Sequence, residues 1–333
     1  MRRAIVIAGA LAFAFADPAR AATPVDLGPG RVNALAAGEG RPYAVLDGNS
    51  ALGPFTLLRG TARVATFADR SAEFPDVEVL DGVPTVTWGV PISGGEALFA
   101  APGEDPRASV ELGFGTGPAR LAAGQGGVFA TFPDREGDVV VAPTRPQRAR
   151  GAYDLPAPRA LTANAPESRH RPLDAATGAQ GLLVLDLVQT RRSTELRVIG
   201  TGAPSRPVLT VRGRRDIEAA FAADSRGVTV AYVSSGQIKL ARSSGAAWAR
   251  RVLRSAAARS PTVARARGGD TVAFEQRGEI MVSVRDRVRV VGAGRGTDRA
   301  PHAAADPETG RTWVAWTHRA PRGRGEGRLL RVR

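Results

Sequence analysis

Three groups of residues could do chemistry: acids, histidines and arginines. Asp76, Glu78 and Asp81 alternate along one β-like stretch, and Glu275 and Glu279 bracket a turn. Cleavage of a glycosidic bond needs two acids flanking it, so these are the candidate pair. Acids at strand ends are ordinarily solvated turn residues, and the spacing selects no pair among them. The three histidines, His170, His302 and His318, do not have metal-ligand spacing. Asp306-Pro-Glu-Thr-Gly310 resembles a calcium loop only superficially and reads as a hairpin turn. No metal and no cofactor is expected.

The arginines form the third group. The chain carries 46 basic and 32 acidic residues, with a net charge of +14, and Lys239 is its only lysine. Residues 22–150 hold 11 basic and 15 acidic residues, whereas 151–333 hold 32 and 16. Abundant alanine, glycine and arginine also mark a GC-rich coding bias, so nucleic acid is not the expected partner. Guanidinium groups match carboxylates, phosphates and sulfates bidentately, which makes an anionic ligand the natural complement.

The elements that must position these residues recur with a period. The clearest copies are Ser260-Pro-Thr-Val-Ala…Thr-Val-Ala-Phe274 and Arg299-Ala-Pro-His-Ala…Trp-Val-Ala-Trp316. Each is a proline, an apolar strand, a Gly-containing turn and a Val-Ala-aromatic strand. A third copy ends in Val230-Ala231-Tyr232, with Ile217 in the proline slot. Looser copies begin at Pro75, Pro118 and Pro172, and a first one fits at Val32. The anchors, near 32, 75, 118, 172, 217, 261 and 301, are about 40 to 54 residues apart, the period of four-stranded propeller blades.

The expected fold is all-β: a single seven-bladed β-propeller of four-stranded blades, with six or eight blades as the alternatives. One blade reads as strands over 217–222, 228–234, 237–242 and 248–254. The last copy supplies only three strands, and Pro24-Val-Asp-Leu27 is spare. The N-terminal strand of the mature chain is therefore expected to complete the last blade and remove the open edges. Trp88, Trp313, Trp316 and Tyr232 fall in second strands and are expected between blades. Trp248 begins an outer strand.

This repeat resembles that of the sialidase-like (bacterial neuraminidase repeat) propeller superfamily, specifically over the last ~120 residues. The resemblance implies a propeller, and the superfamily includes glycosidases as well as non-catalytic carbohydrate-binding and structural propellers. Of its turn S-x-D-x-G-x-x-W, Gly245 and Trp248 match, but Ser243 stands at the aspartate and Ala241 at the first serine. The enzymes' arginine triad, tyrosine–glutamate pair and acidic proton donor are not placed on this chain.

In such blades the loop leading into the first strand and the loop joining strands two and three emerge on one face. The candidate ligand-binding residues lie in those loops: Arg191, Arg192, Arg214, Arg215, Arg277, Arg295, Arg299, His318, Arg319, Arg322 and Arg324. The opposite loops, with Asp224, Asp270, Asp306 and Glu308, read as far less basic.

Residues 1–21 read as a secretory signal peptide. Arg2 and Arg3 precede an apolar run, Ala4–Ala16, too short to span a bilayer, and Ala19-Arg20-Ala21 suits cleavage. Asp17-Pro18 argues against a buried helix. With no cysteine there is neither lipobox nor disulfide.

The expected product, 22–333, is a secreted monomer with no membrane span, extracellular or associated with the cell envelope. It is expected to bind an anionic polysaccharide or cell-envelope component without catalysis. A divergent sialidase-like glycoside hydrolase or lyase, and a structural or protein-interaction propeller, are the alternatives.

Overall fold

The computed structural model describes residues 23–48, 52–145, 147–149, 152–154, 158–162, 168–201, 205–243, 247–254, 257–292, 296–321 and 323–332. Among them are seven four-stranded antiparallel sheets, a two-stranded hairpin (Gln147–Ala149 with Ala152–Asp154) and one short 3-10 turn, Pro106–Ala108. No helix among the described residues is long and apolar enough to cross a membrane.

The first strands of the blades are Arg31–Gly38, Glu73–Leu80, Arg120–Gly124, Arg169–Gly178, Ala219–Asp224, Ala258–Ala266 and Thr297–Ala305. Each touches the next, and the last touches the first, so the sheets close into a ring. Ile217 precedes its strand instead of opening it, although it is buried.

The second strands are buried along nearly their whole length, as in Leu182–Val188 and Thr312–Thr317. They read as unbroken apolar runs because neighbouring blades cover both faces. Aromatics fill the seams. Trp88 packs with Phe55, Phe67 and Phe99 between blades 1 and 2. Trp313 sits between blades 7 and 1, Trp316 between 6 and 7, and Tyr232 between 4 and 5. Outer strands such as Arg287–Gly292 face solvent on one side.

Ring closure uses both ends of the described chain. The strand Val25–Pro29 pairs antiparallel with Gly325–Val332 and becomes the outer strand of blade 7. On the opposite side of the molecule from the arginine loops, Asp306 ties the turn of blade 7 to that of blade 1. Its carboxylate accepts from Gly40 N, Glu308 N, and the amide and hydroxyl of Thr309. Burial pushes its pKa up, but these hydrogen bonds outweigh it and hold the carboxyl below the usual range.

Two outcomes follow for stability. Deleting residues 22–30 removes the outer ladder of blade 7 and the burial of Leu27. That is on the order of 4 kcal/mol, at about 1 kcal/mol per ladder bond and 1.5–3 for the leucine. An unchanged melting temperature would refute closure by this strand. Asp306→Ala should cost about 1–3 kcal/mol at pH 7. Because the folded pKa is depressed, that contribution is present above the ordinary carboxylate pKa and disappears as pH falls through the folded value. Thermal melts of both proteins between pH 7 and 3 should converge.

Candidate functional site

The ring places one residue of each blade around a central channel. These residues stand opposite the middle of the second strand of each blade: Ala34, Asp76, Arg120, Asp174, Ala220, Thr262 and His302. All line one cavity of about 570 Å³. The first strand of a blade has its inner edge unpaired, so its N–H groups need acceptors. The preceding blade supplies them. Asp76 accepts from Leu121 N at 3.0 Å, Asp174 from Phe221 N at 3.0 Å, and Thr262 Oγ1 from Ala303 N at 3.1 Å.

Burial raises the pKa of Asp76, and lifts Asp174 and Glu78 to about 7. Burial, joined by repulsion from Arg120, lowers His302 to about 4. Of the acids singled out from sequence, Asp76 and Glu78 thus meet in the channel, whereas Asp81 sits in a turn at φ 50°. Glu275 is buried and paired with Arg259; Glu279 is exposed at the start of the next strand. Arg120, Asp174 and His302 were not singled out as a group. Their only signal is their position just beyond the proline or bulge of each repeat.

The arginines of the loop face fall into two groups and one isolated residue. Arg191 and Arg192 meet Arg214 and Arg215 at the seam of blades 4 and 5. There Thr194 Oγ1 donates to Gly213 O and accepts from Arg215 N. Arg299, Arg319 and Arg324 line a cavity of about 770 Å³ at the seam of blades 7 and 1, together with Arg31, Asn33, Thr297 and Thr317. Arg277 stands apart in a blade 6 turn. These eight candidate arginines are exposed and make no ion pair with any described residue. Arg295 and Arg322 lie outside the described residues. His318 does not open into the cavity; its Nδ1 is 2.7 Å from buried Asp298.

The expectation of a less basic opposite face needs correction. Arg226, Arg242, Arg251, Arg265, Arg285 and Arg311 all lie at that end. They are largely compensated there: Arg226 pairs with Asp224, Arg242 and Arg265 with Asp270, and Arg251 with Asp286. The two faces differ in pairing more than in arginine content. Folding brings those acids to the arginines across strands and seams, which a loop-by-loop count cannot register.

Trp248 is half-buried against the core of blades 4 and 5, with the Arg206 guanidinium 5.0 Å from its ring centroid. Gly245 of the degenerate turn lies outside the described residues. His170 is likewise structural, buried 2.8 Å from Asp186, which also receives Arg197 Nε at 3.2 Å.

No family model matches the chain, and no curated protein matches it in sequence. Solved structures do match in fold. Trypanosoma rangeli sialidase in complex with the inhibitor DANA superposes with a TM-score of 0.52 at 12% identity, over 93% of this chain and 59% of that one. A Mycobacterium tuberculosis puromycin-hydrolyzing peptidase gives 0.57 at 15%, over 92% and 56%. The chain therefore spans less than two thirds of the length of either structure. At such identities the likeness is one of fold alone, that of a seven-bladed β-propeller.

The channel acids generate a pH dependence. Glu78 and Asp174, folded near 7 and unfolded near 4, make the native state bind more protons between those values. Stability should fall as pH rises from 5 to 8, and Glu78→Gln/Asp174→Asn should flatten that slope. Melting temperatures of wild type and double variant with parallel pH profiles would show that the channel acids titrate normally.

Proposed function

We propose that this protein is an exported, non-enzymatic binding module for an anionic glycan or cell-envelope polymer. The observation that carries the reading is the cavity at the seam of blades 7 and 1. Its exposed Arg299, Arg319 and Arg324 have no ion-pair partner among the described residues. The residue opposite Arg299 at the top of its first strand explains why it makes no ion pair with a described residue. Three bulge-aligned residues occupy the equivalent place in other blades: Arg31, Arg171 and Arg259. Those three pair with Asp47, Asp216 and Glu275. Arg299 instead faces Thr317, which bears no charge.

Converging guanidinium groups in a cavity bind carboxylate or sulfate through charge-assisted, bidentate hydrogen bonds, each contributing about 1.5–3 kcal/mol. Trypanosoma rangeli sialidase, similar to this chain in fold, is known in complex with sialic acid, a carboxylate-bearing sugar. Export is part of the proposal and rests on the charged, apolar and small-residue pattern of residues 1–21.

The test is an array of acidic and neutral glycans probed at low and high salt. Wild type should retain acidic glycans at low salt and release them as salt rises. Arg319→Ala and Arg324→Ala should each weaken retention about tenfold. Turnover of aryl glycosides would replace the reading with that of a hydrolase. Equal retention by wild type and variants, or none by either, would overturn it.

A further inference from the structure

Blade 2 breaks the charge pattern of the rim. At the place held by Arg31, Arg171, Arg259 and Arg299 in four other blades, it carries Glu73, and the residue opposite is Gly89. An arginine has become an acid, and the partner carries no side chain. The vacated space is taken by a second acid. Glu96, on the third strand, lays its carboxyl over Gly89, so that Oε2 lies 2.1 Å from where a Cβ would stand. Glu73, Gly89 and Glu96 thus share one face of the blade, with the Glu96 carboxyl directed toward Glu73.

Glu96 is only 8% exposed, and its Oε2 has no hydrogen-bond partner among the described residues. Burial, then repulsion from Glu73, pushes its pKa up to about 7, with Arg120 opposing. A buried carboxylate without a donor costs stability unless something else supplies one. Beside Glu73 stands Phe74, 52% exposed and held at φ 48°, a conformation that bulky side chains seldom adopt. Its ring is exposed to solvent next in sequence to Glu73.

We infer that Glu73, Glu96 and Phe74 form a second recognition site, for the protonated amine of an amino sugar. Arg120 acts on Glu96 only through its field, and neither acid makes an ion pair with a described residue. Two such acids call for a positive hydrogen-bond donor, and an ammonium supplies one charge with three donors. A metal fits less well, since no described cluster offers three or more ligating side chains. The exposed ring selects a sugar over a bare amine, because its face can cover the apolar C–H side of a pyranose and attract the ammonium. This site stands on residues separate from the arginine cavity, and either can fail alone.

The experiment is calorimetric titration at pH 7 with a glucosamine trisaccharide and with the same trisaccharide fully N-acetylated. Wild type should bind the amine form at least ~10-fold more tightly. Glu96→Gln should lose that preference, and Glu73→Arg, which installs the residue of the other blades, should abolish binding of the amine form. Arg319→Ala should leave it intact. Should Glu96→Gln fail to fold, Glu73→Gln at the half-buried partner makes the same test. Equal affinity for the two trisaccharides, no binding of the amine form, or binding retained in Glu73→Arg would overturn the proposal.

Discussion

The structure depends on how the inner edge of each first strand is satisfied. A propeller blade has one edge at the rim of the molecule, where water can serve it, and one at the channel, where space is restricted. Here side chains just past the bulge of one blade reach the backbone N–H groups of the next: Asp76 to Leu121, Asp174 to Phe221, Thr262 to Ala303. The channel acids are therefore first of all seam fasteners. Their confinement in the channel explains their elevated pKa values.

Closure extends the same principle to the first and last blades. The N-terminal strand supplies the missing ladder of blade 7, and Asp306 stitches the turns of blades 7 and 1 across 266 residues of chain. Both convert an exposed edge into a paired one. Charge is handled likewise. On the face opposite the arginine loops, acids meet most of the arginines, whereas on the loop face several exposed guanidinium groups make no ion pair with any described residue. Function is thus more readily read from the groups the fold leaves uncompensated than from the total charge.

The repeat could be read in the residues because its grammar is local. Proline before an apolar strand, a glycine at a positive-φ turn, and Val-Ala-aromatic in the second strand each carry a conformational reason of their own. The blades starting at Ala258 and Thr297 show it most plainly. The arginine loops could also be located, since blade topology dictates which loops share a face. Glu73, Glu96 and Arg120 could not be singled out. Nothing around Glu96 marks it as buried, and Gly89 reads as an ordinary strand glycine until the register places Glu73 opposite it.

Sequence alone determined the repeating all-β architecture, the spare N-terminal strand and the surplus of arginine toward the C-terminal end. These follow from backbone preferences and periodicity, which act over a few residues. Tertiary structure alone decided which acids and arginines meet. Pairing across seams joins residues 28 or more positions apart, and a bulge of one residue in a first strand shifts every partner beyond it. The candidate acids Asp76 and Glu78 thereby became channel groups, and the arginine face resolved into clusters at the seams of blades 4 and 5 and of blades 7 and 1, with one blade where the charge is reversed.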